Sequence, residues 1–519
     1  MALFHLLDPA GLAWQDALLS LAFYLAIFLS LRSIFLAVYR VTLHPLAKFP
    51  GPKLAAASYL YEFWFDVVCW GRYTWKIIDL HAEYGPIIRI NPNELHCADP
   101  GFVDVIYSSG RSKRDKSKHY VSAFPIKLRR SAVSRHFTRP QVQKLESLVH
   151  RGAQKLCDKL LAYRGRGPFE GAAAFSCFTT DTISEYCFGS GTMFLDQDGW
   201  EPNYKDPINM FFHTVHIFRH LRWTAYLVDF VPLSVVTSLS RGLGSFMHAQ
   251  VTLPEWIQHT IDTSGTGHGQ EQPSVIREMW ESKLPAEEKE IGRLTAEAIS
   301  IMIGGTETTA TVLCVVTFHL LSKPALLERL RVELSSIVTD PLHIPRWSEL
   351  EKLPFLSATI LEGLRLMYGS SQRLPRIAPD EDLMYTGSWS PKGSQRPTEV
   401  AHTIPRGYAI GMSSFIMHSD ESIFPNAFDF VPERWLHDSG ERNKELERYL
   451  LSFAKGSRQC VGMQLAYCEL YVTITALVLR VMPHLELYQT DISDIAYDHD
   501  EIKANAKRGS KGLRLVVVE

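Results

Sequence analysis

Apolar residues run almost unbroken from Ala17 to Tyr39, and Arg32 is the one charge among them. At about 1.5 Å per residue a helix over this stretch reaches about 34 Å, enough for a tilted membrane span. Arg32 lies in its last third, where a long side chain can snorkel to the interface. Asp8 and Asp16 precede the run, whereas Arg40, Lys48 and Lys53 follow it. An excess of positive charge on the C-terminal side puts everything after the span in the cytoplasm. The basic leader and small-residue cleavage site of a removed signal peptide are both missing. The pattern therefore predicts a lumenal segment over 1–16 and an anchor over 17–39. The prolines of His44-Pro45-Leu-Ala-Lys-Phe-Pro50-Gly51-Pro52 then predict a stiff, extended hinge over 40–53.

Past residue 53 the periodicity changes repeatedly. Ile87–Ile90 and Glu94–Ala98, separated by Asn91-Pro-Asn93, read as a hairpin of short strands. Helical spacing dominates Gln141–Leu161, Thr179–Cys187, Glu287–Leu321, Pro324–Val338 and Glu351–Tyr368. Gly265–Pro273 is a polar loop, and Ser388–Pro397 reads as a surface insertion rich in proline and serine. The aromatic stretch between Asp206 and Gln250 reads as core. The predicted class is mostly α with small β-sheets, as one body over 54–519.

Composition narrows the function. A 46% hydrophobic and 21% charged chain is globular with a substantial core, and a net charge of −2 excludes a nucleic-acid surface. The eight cysteines form no CxxC pair and no N-x-S/T acceptor occurs, which suits a body in reducing cytosol. The most specific chemistry is Phe453-Ala-Lys-Gly456-Ser-Arg458-Gln-Cys460-Val-Gly462, followed by an apolar run to Leu479. A cysteine at a helix N-terminus has its thiolate favoured by the dipole, which predicts a lowered pKa. Glycines let the loop press against a flat ligand, and Arg458 offers a fork for a carboxylate. Such parts can hold haem iron through one thiolate.

On this motif the chain resembles the haem-thiolate monooxygenases, the cytochromes P-450. Other segments agree with it. Gly304-Gly305-Thr306-Glu307-Thr308-Thr309 interrupts an apolar helix; Gly304 and Thr308 share a face, where the threonine can bond a freed carbonyl and kink the helix. By resemblance Glu307 and Thr308 are the proton-delivering pair. Of the E-x-x-R pairs, Glu290/Arg293, Glu328/Arg331 and Glu445/Arg448 lie among other charges, whereas Glu362/Arg365 lies in the apolar segment LSATILEGLRLMY. With Arg434 of Pro432-Glu433-Arg434-Trp435, the resemblance makes Glu362 and Arg365 a structural triad. Arg376 and Arg130 correspond by position to cations on the haem propionates, although Ile126 stands where the family commonly has a hydrogen-bond donor.

The resemblance runs from His44 to about Val518 and is closest to fungal microsomal members similar to trichodiene oxygenase. It implies a cytochrome P-450 fold and haem b held by Cys460, with Phe453, Gly456 and Gly462 shaping its loop. It also implies an apolar substrate, terpenoid or another secondary metabolite, reached from the membrane under a roof formed by the Asp206–Gln250 region. Because no G-x-G-x-x-G fingerprint is present, NADPH and flavin belong to a separate reductase, with cytochrome b5 as a second donor. The setting implied is a single-pass protein of the endoplasmic reticulum membrane. The alternatives are a haem-thiolate isomerase or dehydratase rearranging a peroxide without reductase, and a non-catalytic haem sensor.

Overall fold

The computed structural model describes residues 9–110, 112–121, 130–224, 241–263, 274–390 and 397–518. One apolar helix, Ile291–Ser322, runs through the middle of the body and is buried along most of its length. The Gly171–Phe188 helix packs against it, and Gly305 is why it can come so close. A Cβ at Gly305 would lie 2.6 Å from Ile183 Cγ1. Thr179 Oγ1 donates to the Thr306 carbonyl at 2.8 Å across the same crossing. The Pro354–Met367, Met463–Ala476 and Arg139–Ala162 helices complete the bundle, their Leu, Ile, Val and Phe side chains merging into one core.

Short strands close one side. The five-stranded sheet has the order Ile87–Asn91, Glu94–Cys97, Ala409–Gly411, Arg376–Ile377 and Asp115–Lys116. The first two form the expected antiparallel hairpin, and Glu94–Cys97 runs parallel to Ala409–Gly411. Segment 388–397 departs from expectation: Ser388 and Trp389 finish one strand and Thr398 starts its antiparallel partner. Gly387 and Ser388 hide the alternation of side chains in Leu383–Trp389. The expected loop at Gly265–Pro273 lies outside the described residues. So does most of the segment between the helices Lys205–His220 and Arg241–Asp262.

Among the described residues, three helices are long and apolar enough to cross a membrane. The windows in Ile291–Ser322 and Met463–His484 are 67% and 78% buried, so both are core; the Asp16–Thr42 window is 0% buried. That helix begins at Pro9 and continues to Thr42. The segment after it is less extended than its prolines suggest. Leu46 and Phe49 are buried in the body, Arg40 Nη1 donates to the Ala57 carbonyl at 2.8 Å, and Arg89 Nη1 donates to that of Arg40 at 2.8 Å. Apolar residues between the prolines dock on the sheet, and burying them outweighs an extended path.

Candidate functional site

The cysteine loop is shaped by its contact with segment 107–108. Gly456 has φ +70°, and a Cβ there would lie 2.3 Å from the Tyr107 carbonyl oxygen and 2.5 Å from that of Ser108. Only glycine satisfies both the left-handed backbone and the close approach. The Cys460 N–H donates to the Phe453 carbonyl at 2.8 Å, closing the turn, and Phe453 packs on Tyr467 with ring centroids 5.2 Å apart. Gly462 precedes the helix that starts at Met463. The backbone N–H groups of Gly462 and Met463 both donate to the Cys460 sulfur.

Cys460 has accessible surface, yet burial dominates its thiol and raises its pKa. Surface that is open but poorly solvated belongs to an internal cleft. The lowered pKa expected from the helix N-terminus is thus corrected. The two N–H donors and Arg130 do pull downward, but desolvation outweighs them in the protein alone.

Cations gather beside this loop. Arg130 Nη1 donates to the Gln459 carbonyl, directly behind Cys460. Arg376 is buried on its short strand with its guanidinium 5.3 Å from the Tyr107 ring; Nη1 donates to the carbonyls of Leu374 (3.3 Å) and Pro375 (3.0 Å). Arg458 Nε donates to the Arg114 carbonyl at 3.1 Å and its Nη2 lies 3.4 Å from Asp115 Oδ1. Lys116 joins them, its pKa lowered first by burial and then by Arg376, Arg458 and Arg130. Sequence reasoning passed over Lys116 because it lies in a basic run, 113–118, that resembles an ordinary charged surface. Ile126 lies outside the described residues.

On the central helix, Gly304 and Thr308 have accessible surface while Thr306, Glu307, Thr309 and Ala310 are buried. Thr308 Oγ1 donates to the Gly304 carbonyl at 2.8 Å, as its spacing predicts, and the helix remains continuous there instead of breaking. Glu307 is directed elsewhere. One residue is about 100° of helix rotation, and its carboxylate is buried against the hairpin of His499–Glu501 and Lys503–Asn505, where Lys503 Nζ donates to Oε1. The expected acid–hydroxyl pair is adjacent in sequence but faces two directions.

Glu362, Arg365 and Arg434 do meet, away from the cleft. Arg365 Nε and Nη2 donate to the two Glu362 oxygens at 2.9 and 2.7 Å, and Arg434 Nε donates to Oε1 at 3.1 Å. The Val431 N–H (2.9 Å) and Trp435 Nε1 (2.8 Å) also donate to this carboxylate.

This donor set fits haem. Four cations crowd a poorly solvated place where, among the described residues, Asp115 is the acid paired with Arg458, so a ligand with two carboxylates would relieve their repulsion. Gly304 and Gly462 each face open space, with nothing within 4 Å of where a Cβ would be. A thiol on the same wall supplies a soft iron ligand.

Comparison with known proteins agrees. The family model "Cytochrome P450" matches residues 125–485. Cytochrome P450 monooxygenase ppzE of Metarhizium majus (strain ARSEF 297) is 47% identical over 82% of this chain and 94% of its own length. Tryptophan 6-hydroxylase fscE of Fusarium equiseti is 36% identical over 93% of this chain and 94% of its own. Conidiogenone synthase PchP450 of Penicillium rubens (strain ATCC 28089 / DSM 1075 / NRRL 1951 / Wisconsin 54-1255) is 35% identical over 93% and 96%. With relatives matched over nearly their full lengths and a family model spanning most of the body, this chain belongs to the cytochrome P450 family and is a haem-thiolate monooxygenase.

Proposed function

We propose that the protein inserts one oxygen atom of O2 into an apolar small molecule, a terpenoid or another fungal secondary metabolite, using electrons from a separate NADPH-dependent flavoprotein reductase and, secondarily, cytochrome b5. Support comes chiefly from the poorly solvated thiol of Cys460 beside the cluster of Arg130, Arg376, Arg458 and Lys116. Bound haem b supplies the iron on which dioxygen is activated. Cys460 would hold that iron through its sulfur, with the N–H groups of Gly462 and Met463 stabilising charge there. Arg130, Arg376, Arg458 and Lys116 would neutralise its propionates. Gly456 and Phe453 fix the loop, and Gly304 with Gly462 leave room for the ring. Thr308 holds a proton donor toward the cleft and Glu307 supplies protons to it. The Glu362–Arg365–Arg434 group is structural. Residues 17–39 anchor the body to the endoplasmic reticulum membrane, with 54–519 facing the cytoplasm.

The apolar cluster of Ile208, Phe211, Phe212 and Val215 on the helix Lys205–His220, packed with Ile303 and Ile502, suits an apolar substrate. Relatives that hydroxylate tryptophan or make conidiogenone show that this family framework accommodates different molecules, so the substrate is assigned by class.

The test is spectroscopic. The reduced carbon monoxide complex should show the strongly red-shifted Soret band of thiolate-bound haem. Cys460→Ala should abolish it, whereas Cys468→Ala, altering a buried thiol, should not. A normal band in Cys460→Ala would overturn the ligand assignment. Metabolite profiling of cells with and without the protein would identify the substrate.

A further inference from the structure

A cavity of about 360 Å³ lies beside the cysteine loop, where the start of the Arg139–Ala162 helix, the short helix Trp347–Leu350, segment 442–455 and the first turns of the Met463–Ala476 helix meet. Its wall includes Phe453 and Gln459 of the loop, but not Cys460, Arg130, Arg376, Gly304 or Thr308. The cleft that fits haem is thus built from other residues, and the proposed reaction makes no use of this cavity. A volume of this size holds a small organic molecule.

Part of the wall is aromatic. The Phe453 and Tyr467 rings have centroids 5.2 Å apart, and those of Tyr467 and Tyr471 are 6.3 Å apart. The Tyr471 hydroxyl is bonded to Ser357 Oγ at 2.8 Å, whereas that of Tyr467 has no hydrogen-bond partner among the described residues. Burial raises the Tyr467 pKa, so water solvates this wall poorly.

The rest carries charge that does not balance. Arg139 donates to Glu351, its guanidinium 4.5 Å from the Trp347 ring, and Arg442 directs Nε (3.1 Å) and Nη2 (2.8 Å) to Glu447 Oε1. Each of these pairs is neutral. Lys455 is left over. Among the described residues no acid lies within ion-pairing distance of its ammonium, and Asp104, the acid whose charge acts on it, is paired with Arg448 at 2.7 Å. Burial lowers the Lys455 pKa, as expected of an unmatched cation where water is scarce. The Gln464 side-chain amide, also without a partner among the described residues, adds a further donor to the wall.

We propose that this cavity is a second small-molecule site, fitted to a planar aromatic carboxylate: the rings of Phe453, Tyr467 and Tyr471 hold its body, and Lys455 takes its carboxylate. The anion supplies the countercharge that Lys455 lacks, with the Tyr467 hydroxyl and the Gln464 amide as further donors. An occupant touches the loop that holds Cys460, because the carbonyl of Phe453 accepts the Cys460 N–H. The inference does not depend on the reaction proposed above.

The probe is para-benzoylbenzoate, an aromatic carboxylate that cross-links to neighbouring C–H bonds on irradiation. Full-length, haem-loaded protein in detergent should bind it in calorimetry, and irradiation should label segment 453–471, within which Met463 lines the cavity. The neutral para-benzoylbenzamide should bind about tenfold more weakly, since a charge-assisted hydrogen bond is lost. Lys455→Met should weaken the carboxylate to the level of the amide, and Lys455→Arg, which keeps the charge, should stay near wild type. Should Lys455→Met fail to fold, Gln464→Glu, which places an acid in the wall, should weaken the carboxylate in the same way, and comparing the two probes on wild type needs no variant. Absence of binding, label confined to other segments, or equal affinity for the two probes overturns the proposal. So does carboxylate binding that is indifferent to Lys455→Met.

Discussion

Glu362 is 0% exposed and accepts from five donors: Arg365 Nε and Nη2, Arg434 Nε, Trp435 Nε1 and the Val431 N–H. Glu362→Ala strands them unequally. Arg365 keeps the carbonyls of His418 (2.9 Å), Ala427 (2.5 Å) and Asp429 (3.0 Å), and Arg434 keeps Pro425 and Asn426. Both guanidinium groups therefore stay hydrogen-bonded, but neither has its countercharge. The Trp435 indole and Val431 amide lose their acceptor. Breaking a buried pair costs about 3–5 kcal/mol and each stranded donor about 1–3 kcal/mol more, so the loss is about 5 kcal/mol at the least. That is comparable with the whole stability of many domains, about 5–15 kcal/mol. Glu362→Gln, which keeps the shape and one acceptor oxygen, should fall between this variant and wild type. Urea unfolding followed by circular dichroism measures the difference, alongside haem per polypeptide. A loss in Glu362→Ala below about 2 kcal/mol with an unchanged slope would refute the reasoning, because five donors could not then depend on this carboxylate.

Gly456→Ala should sharply reduce haem-loaded protein, since its Cβ would meet two backbone oxygens. Gly440→Ala, at φ +83° but in open space, should cost only the left-handed conformation, about 1–2 kcal/mol. The carbon monoxide band per polypeptide distinguishes the two. His216 is buried, which disfavours its charge, but Asp66 at 3.5 Å, helped by Asp500, leaves its pKa raised. Its contribution is therefore fully present below about pH 6.5, its unfolded value, and is lost as pH rises through the raised folded value. The melting-temperature gap between wild type and His216→Gln should shrink on raising the pH through that window, and a gap that widens would contradict the pairing. Alkaline carbonate extraction should leave the full-length protein in the membrane pellet, and release into the supernatant would show that the 17–39 helix does not span.

What the sequence made legible was contiguous. The Phe453–Gly462 loop, the Gly304–Thr309 interruption and the Glu362/Arg365 spacing each occupy one short window, and local geometry carries most of their meaning. Arg434 could be added because it belongs to a recognisable segment. Trp435 and Val431 were missed as partners of Glu362, since nothing local marks an indole as a donor to an acid 73 positions earlier. The cluster joining Glu62, Asp66, Arg219 and Arg373 was invisible for the same reason: its members come from separate elements and meet only after folding. Lys503 stands among other charges near the C-terminus, and only the hairpin's register brings it to Glu307. Glu307 and Thr308 are neighbours in the sequence, but about 100° of helix rotation separates their side chains, and only the fold shows what each one faces.

The docked segment after the N-terminal helix has a mechanical consequence. With Leu46 and Phe49 sunk in the body, Arg40 bonded to the Ala57 carbonyl and Arg89 to that of Arg40, a chain anchored through residues 17–39 would leave the lipid with no slack. A body on a loose tether would spin and tumble above the bilayer, offering every flank to the lipid in turn. This one is mounted like a vane on a mast. Its heading would be fixed by the helix that carries it, with one and the same flank turned toward the bilayer at all times.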